Sequence, residues 1–182
     1  MVAPAHAIPA EVEPVLAVLN SLDVEEGTDD WAAGPAALGH WLSAHHLAPA
    51  GVTVSRSHYD LALDLRRGLR AMALANNGVA ADPDTVEGLD RTLRRFPLVV
   101  RPATGTLAGT NRAEALRALD AVVAGYAYAL ATGQWHRMRQ CPAGDCAWVF
   151  WDSSARAARR WCTMGVCGNR AKARAFAARR RG

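Results

Sequence analysis

The chain alternates apolar and polar side chains with a helical period through most of its first 80 residues. Apolar positions three and four residues apart predict one helix over residues 11–22 and a second that opens at Pro35. A third helix is predicted behind the capping box Ser57-His58-Tyr59-Asp60, and the turn sequence Asn76-Asn77-Gly78 ends it. A polar, turn-rich stretch separates the first two helices.

Between residues 80 and 134 the helical period is interrupted once and then returns. Asp82-Pro83 begins a short predicted helix, and residues 98–107 resemble a small β-hairpin in which Pro102 favours an edge position. The capping pattern Asn111-x-x-Glu114 then begins a long helix that ends at Thr132-Gly133. These patterns predict a mainly α domain with one small hairpin, and its apolar stripes are complete before residue 134.

All four cysteines of the chain lie in its last quarter, as Cys141-x4-Cys146-x15-Cys162-x4-Cys167. This spacing is typical of a four-thiolate zinc site, because each close pair supplies one edge of the tetrahedron that zinc prefers. Residues 147–151 are strand-like, so residues 139–151 are predicted to form a hairpin whose turn presents the first pair. The second pair leads into a strongly helix-forming segment, residues 171–179, so the region is predicted to be a treble-clef-like zinc finger.

Two disulfides, or four ordinary buried thiols, are the alternatives to a metal site. The first ten residues lack the charged and continuously apolar regions of a secretory signal, so we expect a reducing, cytoplasmic location. No uncharged apolar run approaches the roughly 18 residues needed to span a bilayer, so no membrane segment is expected. In a reducing compartment, paired cysteines favour a metal, here one zinc ion per chain.

Charge divides the chain at the point where the helical pattern ends. Residues 1–134 contain ten Arg and fifteen Asp or Glu, a net charge of −5. Residues 135–182 contain eleven Lys or Arg and two Asp, a net charge of +9. A basic module joined to an acidic one indicates that the basic module binds a polyanion, so we place a domain boundary at residue 134.

The residues around the cysteines resemble a known family. Cys-x4-Cys-x-Trp-x-Phe-x-Asp-x-Ser, Arg-Arg-Trp-Cys, and Thr163-Met164-x-x-Cys167-Gly168-Asn169-Arg170-x-Lys172 are similar to the CGNR zinc finger. In front of them, Leu19-Asn20-Ser21, Trp41-Leu42 and the Arg-rich helix over residues 65–74 resemble the ABATE domain that precedes this finger.

The resemblance implies a bacterial, stress-related transcription regulator. Its finger would bind double-stranded DNA, and its helical domain, residues 1–134, would sense an unidentified effector. The protein would be cytoplasmic and nucleoid-associated, and a homodimer is compatible with this reading. The resemblance also places zinc ligands at Cys141, Cys146, Cys162 and Cys167, and the signature at Gly168, Asn169 and Arg170.

Physical roles follow for the three signature residues. Gly168 would let the backbone pass close to the metal without a Cβ clash, and the Asn169 amide would brace a loop through backbone groups. Two roles remain open for Arg170. Its guanidinium either offsets the negative charge of the metal centre or points outwards to a phosphate.

The remaining basic residues of the finger, residues 135–182, are the candidates for nucleic-acid contact. Arginine forks match phosphate oxygens and guanine edges. The alternative is an Arg-heavy, solvated helix face that reflects the base composition of the gene. The candidates are Arg156, Arg159, Arg160, Lys172, Arg174 and Arg179, followed by Arg180 and Arg181.

The sequence contains no catalytic constellation. His40 and His45 are five residues apart and do not share a helical face, so we expect these and His46 and His58 to be surface or hydrogen-bonded core residues. Trp31 and Trp41 are expected in the core. Four thiolates fill the coordination shell, which favours structural zinc over an enzyme. The alternative function is a finger that contacts protein or RNA.

Overall fold

The computed structural model describes residues 6–180, and this part of the chain contains six α-helices and three two-stranded sheets. The helices are α1 (Glu13–Leu19), α2 (Pro35–Ala44), α3 (Arg56–Ala75), α4 (Pro83–Leu93), α5 (Glu114–Ala131) and α6 (Asn169–Arg179). The antiparallel pairs are β1 (Leu22–Asp23) with β2 (Thr28–Asp29), β3 (Leu98–Arg101) with β4 (Thr106–Gly109), and β5 (Met138–Gln140) with β6 (Val149–Trp151). The predicted mainly α class is confirmed. Arg181 lies outside the described residues.

Two of the predicted helix caps differ from those in the structure. Ser55, not Ser57, begins α3, because its hydroxyl accepts the amide of His58. Asn111 does not cap α5; its side-chain amide donates to Asp120 at 2.7 Å, and its backbone amide donates to the same carboxylate. Asp120 is buried and requires these donors, so Asn111 is used there and Ala113 precedes the helix. The predicted Asp82 cap is confirmed.

The main core lies between α1, α2, α3 and α5. Trp31 is fully buried, and Trp41 meets it edge to face with ring centroids 5.4 Å apart, so both are core aromatics as expected. α1 and α5 pack closely at Gly125, where an added Cβ would collide with the Glu11 carbonyl. No helix among the described residues combines the length and the apolar composition needed to cross a membrane.

Two buried arginines of α3 hold the segment that follows α1. Arg66 makes a two-pronged contact with the Asp29 carboxylate, at 2.8 and 2.7 Å, and lies over the Trp31 ring. Burial acts to raise the pKa of Asp29, but its hydrogen bonds with Arg66 and the Trp31 amide leave that pKa below its ordinary value. Arg70 donates to the carbonyls of Leu19 and Ala147, which joins the helical core to the cysteine-containing region.

The main core continues beyond residue 134. Trp135 and Met138 are buried in it, together with Val149 and Trp151 of β6. Phe150, between those two strand residues, faces the opposite side and packs with the cysteines. The β5–β6 hairpin therefore forms one wall of each of two cores. Whether residues 1–134 fold without the rest of the chain stays a prediction.

Candidate metal centre

The four cysteines converge on one point. Their sulfur atoms all lie within 4.8 Å of one another, and Cys162 Sγ is 3.6 Å from both Cys146 Sγ and Cys167 Sγ. A tetrahedral zinc ion with bonds of about 2.3 Å to sulfur separates its ligands by roughly 3.8 Å. The four thiols thus match zinc in both donor type and spacing. All four are free of disulfide bonds.

The first ligand pair lies at the closed end of the β5–β6 hairpin. The Cys141 amide donates to the Trp148 carbonyl at 2.8 Å, which extends the strand ladder by one bond. The Cys146 and Ala147 amides both donate to the Ala143 carbonyl at 2.9 Å, and Ala147 adopts a left-handed backbone with φ of 50°. This tight turn directs Cys141 and Cys146 to the same side, as the predicted hairpin requires.

Cys162 precedes a wide helical turn, and Cys167 lies within it. Residues Met164–Gly168 form a π-helical turn, in which the Gly168 amide donates to the Thr163 carbonyl at 3.2 Å, and α6 follows directly. Cys167 therefore lies at the entrance of a helix, where free N–H groups and the helix dipole stabilise negative charge. The hairpin and the helix start supply two ligands each, so the predicted treble-clef-like arrangement is confirmed.

The crowded thiols affect one another's ionisation. Burial raises the pKa of Cys146, and burial together with a hydrogen bond to the Cys162 thiol raises the pKa of Cys167 to about 11. Burial also acts to raise the pKa of Cys162, but hydrogen bonds from the neighbouring thiols outweigh it and leave that pKa below its ordinary value. A metal ion must displace protons from the high-pKa thiols when it binds.

Arg170 lies against the metal centre. One of its guanidinium nitrogens, Nη2, is 3.7 Å from Cys167 Sγ and 2.6 Å from the Glu25 carboxylate. The other, Nη1, is 3.5 Å from Asp145 Oδ2. The hydrogen bond to Glu25 raises the pKa of Arg170. Of its two predicted positions, Arg170 occupies the one beside the ligand, with two carboxylates around it.

The other two signature residues stabilise the turn that carries Cys167. The Asn169 side chain donates to the Gly165 carbonyl at 3.0 Å, so it braces the turn at one backbone group. A Cβ at Gly168 would lie 2.5 Å from Met164 Sδ and 3.3 Å from Trp161 Cδ1. The close approach at Gly168 is thus to these two side chains, whereas the sequence suggested an approach to the metal.

Comparison with protein families agrees with this geometry. Residues 137–180 match the CGNR zinc finger, and residues 13–140 match the ABATE family, whose description reads "Putative stress-induced transcription regulator". The second match covers more than half of the chain. The protein belongs to the ABATE family. Both resemblances are confirmed, and the two matches overlap at strand β5. No curated protein matches the chain.

Three residues to which the sequence analysis assigned no role shape the CGNR finger between its ligand pairs. Asp152 is fully buried and accepts the amides of Ser154 and Arg159. Arg137 donates to the Asp152 and Ser154 carbonyls, and Arg139 donates to the Ala157 carbonyl at 2.6 Å. These bonds fix the loop that leads to Cys162. The signal available in the sequence was the Asp-x-Ser motif, whose Asp bonds a backbone amide two residues later.

Asparagines of the ABATE domain also hold the finger. Asn76 donates to the Trp135 and Met138 carbonyls, and Asn77 donates to the Gln140 and Arg160 carbonyls. Asn20 both donates to the Val149 carbonyl and accepts its amide, as a third strand would. The sequence identified Asn76-Asn77 only as the end of a helix. Their second role depends on a partner 59 to 83 residues away, which no local pattern reveals.

The basic candidates fall into two groups. Arg159 donates to the Cys162 carbonyl and lies 5.0 Å above the Phe150 ring, and Arg174 is 3.3 Å from the Asp145 carboxylate. Arg180 is exposed and lies 5.7 Å from the Phe176 ring centroid. In the part of the chain that the structure describes, the other four candidates have no carboxylate within ion-pair distance and all are exposed, although Arg160 lies 5.4 Å from the Trp161 ring centroid: Arg156, Arg160, Lys172 and Arg179. We call these four side chains the free cations of the finger.

The histidines do not assemble a second site. Among residues 6–180, the cysteine cluster is the only group of three or more His, Cys, Asp or Glu side chains placed to hold a metal. His45 instead stacks on Trp41 with ring centroids 3.8 Å apart, and its Nδ1 is 2.9 Å from the Trp41 carbonyl.

Proposed function

We propose that this protein is a DNA-binding transcription regulator whose CGNR finger folds around one structural zinc ion and contacts the phosphate backbone of double-stranded DNA. The separation of charge carries the proposal. The finger has a net charge of +9 next to a domain of −5, and its free cations are exposed and unpaired with the acidic domain. Such cations release counterions when they meet phosphates, which drives binding to DNA.

Zinc organises this surface and takes no part in a reaction. Cys141, Cys146, Cys162 and Cys167 would complete its coordination shell, which leaves no open position for substrate or water, so we propose no enzymatic activity. A structural site of this kind contributes about 10–16 kcal/mol of apparent binding energy. The second core contains few apolar side chains besides the cysteines, chiefly Phe150, Ala143 and Trp161. It therefore depends on the metal for its stability.

The ABATE domain is proposed to sense an effector. A cleft of about 480 Å³ is lined by Leu16 of α1, Trp41 of α2, His45 directly after α2, and Trp148 of the finger. Ligand sites favour concave, partly aromatic surfaces of this size where two domains meet. A molecule bound there would contact Trp148, two residues from Cys146. DNA binding would place the protein at the nucleoid.

A protein-binding finger is the second candidate function, and one observation favours it. Met164, Val166 and Phe176 leave about half of their surface exposed, at 55%, 50% and 56%. Exposed apolar groups near arginines are typical of surfaces that bind an acidic protein partner. A phosphate-binding surface does not need them.

Zinc content and DNA binding by the same preparation test the proposal. Elemental analysis should find one zinc per chain, and fluorescence anisotropy should detect binding to a mixed-sequence duplex at low salt. Removal of zinc by a chelator should abolish that binding and unfold the finger. Equal binding by stripped and loaded protein would contradict the proposal. A zinc-loaded protein that binds no duplex would favour the protein-binding function.

A further inference from the structure

A cleft opens directly onto the metal centre. It encloses about 400 Å³ and is lined by Cys146, Cys162 and Cys167, by Trp148 and Val166, and by Asp23 and Glu25 of the ABATE domain. The fourth ligand, Cys141, is absent from this lining and is almost completely buried.

Cys162 is the thiol that a molecule in this cleft would meet first. It is partly exposed, whereas Cys141, Cys146 and Cys167 are at most 2% exposed. Its sulfur lies 3.6 Å from each of two other thiols, those of Cys146 and Cys167. Cysteines that react with oxidants are accessible and have a second cysteine within reach to form a disulfide. Cys162 meets both conditions.

The charge around the cleft restricts what can enter it. Asp23 and Glu25 lie at its wall, and zinc with four thiolates carries a net charge of −2. Two cations lie close to the cleft: Arg170 is shared between Glu25 and Asp145, and Arg159, which is not part of the lining, donates to the Cys162 carbonyl. An anionic oxidant or an anionic thiol compound is therefore repelled, whereas a small neutral molecule is not. Hydrogen peroxide and small organic hydroperoxides have the required size and charge.

We infer that Cys162 is an oxidation site for neutral peroxides, and that its oxidation to a disulfide with Cys146 or Cys167 releases zinc from the finger. The inference rests on the proposed zinc site and assigns a reactivity to it. Loss of two of the four thiolate ligands leaves too few to retain a structural metal, so the second core would unfold and the basic surface would be lost with it.

The chemistry balances with a peroxide as the only oxidant. The Cys162 thiolate attacks one peroxide oxygen; an S–O bond forms, the O–O bond breaks, and hydroxide leaves and is protonated to water. The thiolate of Cys146 or Cys167 then attacks the Cys162 sulfur; an S–S bond forms, the S–O bond breaks, and a second hydroxide leaves as water. Two thiolates lose two electrons, and hydrogen peroxide takes up two electrons and two protons.

Peroxide treatment of the full-length, zinc-loaded protein provides the first test. Zinc release is followed with a chromogenic chelator, and disulfides are mapped by mass spectrometry after the free thiols are alkylated. We expect each released zinc to accompany one disulfide that contains Cys162, with Cys141 still a free thiol. Zinc-loaded protein that keeps its metal, or first disulfides that contain Cys141, would overturn the inference. A protein without zinc before treatment would contradict the proposed zinc site itself.

Charge-selective thiol reagents provide a second test that leaves every cysteine in place. In the variant with Asp23→Asn and Glu25→Gln, zinc release by a dianionic aromatic disulfide should be roughly three- to tenfold faster than in the parent protein at low salt, because two repelling charges are gone. Release by a neutral dipyridyl disulfide should change less than twofold. Glu26→Gln, on the same turn but outside the cleft, is the matched control. Equal acceleration with both reagents would contradict the charged-cleft argument.

Discussion

Arg170 Nη2 and Glu25 Oε1 lie 2.6 Å apart, which joins the CGNR finger to the ABATE domain beside a metal ligand. The same nitrogen is 3.7 Å from Cys167 Sγ. Arg170 and Glu25 are both partly exposed, so the ion pair by itself contributes little to stability. We therefore propose that Arg170 acts through its contact with Cys167 and that Glu25 orients it.

Arg170→Ala should loosen zinc. Loss of a hydrogen-bond donor to a metal ligand typically costs about 10–100-fold in metal affinity, and competition with a chromogenic chelator measures it. Glu25→Gln retains the arginine and should cost much less. If Arg170→Ala leaves zinc affinity unchanged but weakens DNA binding, Arg170 contacts phosphate and its position beside Cys167 has no role in metal binding.

Neighbouring residues of β6 should differ in how their effects depend on zinc. Val149→Ala removes methyl groups from the main core and should destabilise the protein by about 1–3 kcal/mol, with or without zinc. Phe150→Ala affects the core around the cysteines, so it should lower the free energy of unfolding only when zinc is bound. Chemical unfolding with and without a chelator compares them. A similar zinc dependence for both variants would contradict the two-core description.

Shortened chains test the boundary at residue 134. A chain ending at Gly133 lacks Trp135, Met138, Val149 and Trp151, whereas a chain ending at Ser153 retains all four. The shorter chain should melt at a lower temperature, since four buried side chains of the main core are lost. A cooperative transition in the shorter chain would confirm the boundary, and equal melting temperatures would show that the shared packing contributes nothing.

The sequence predicts most of the local structure, because local structure follows from local patterns. The helix at Asp82-Pro83, the hairpin near Pro102 and the ligands from Cys141 to Cys167 all depend on residues close together in the chain. The contacts of Asn77, Arg70 and Glu25 with the finger join residues 63 to 145 positions apart. No spacing rule connects such residues, and each has an adequate local explanation as a helix end or a charged surface residue.

Replacement of a free cation of the finger should affect DNA binding more than replacement of Arg159 or Arg174. Arg156→Ala or Lys172→Ala should weaken binding to all duplex sequences. Each should also reduce the slope of log affinity against log salt by about 0.9, because the loss of one phosphate contact releases one counterion fewer. Arg159→Ala and Arg174→Ala should change the slope less, because their side chains are engaged within the finger. Replacement of an arginine that contacts a base would instead reduce the binding free energy by about 1–3 kcal/mol, chiefly on the preferred DNA site.

The most direct test is the slope of log affinity against log salt for zinc-loaded protein on a mixed-sequence duplex. Four phosphate contacts predict a slope of about −3.6, and six would predict about −5.4. The variant with Arg156, Arg160, Lys172 and Arg179 all replaced by Ala should retain zinc and lose nearly all of the slope. Arg112→Ala, an exposed arginine of the ABATE domain, should leave the slope unchanged. No binding at low salt, or an unchanged slope in the fourfold variant, would contradict the proposed DNA-binding function.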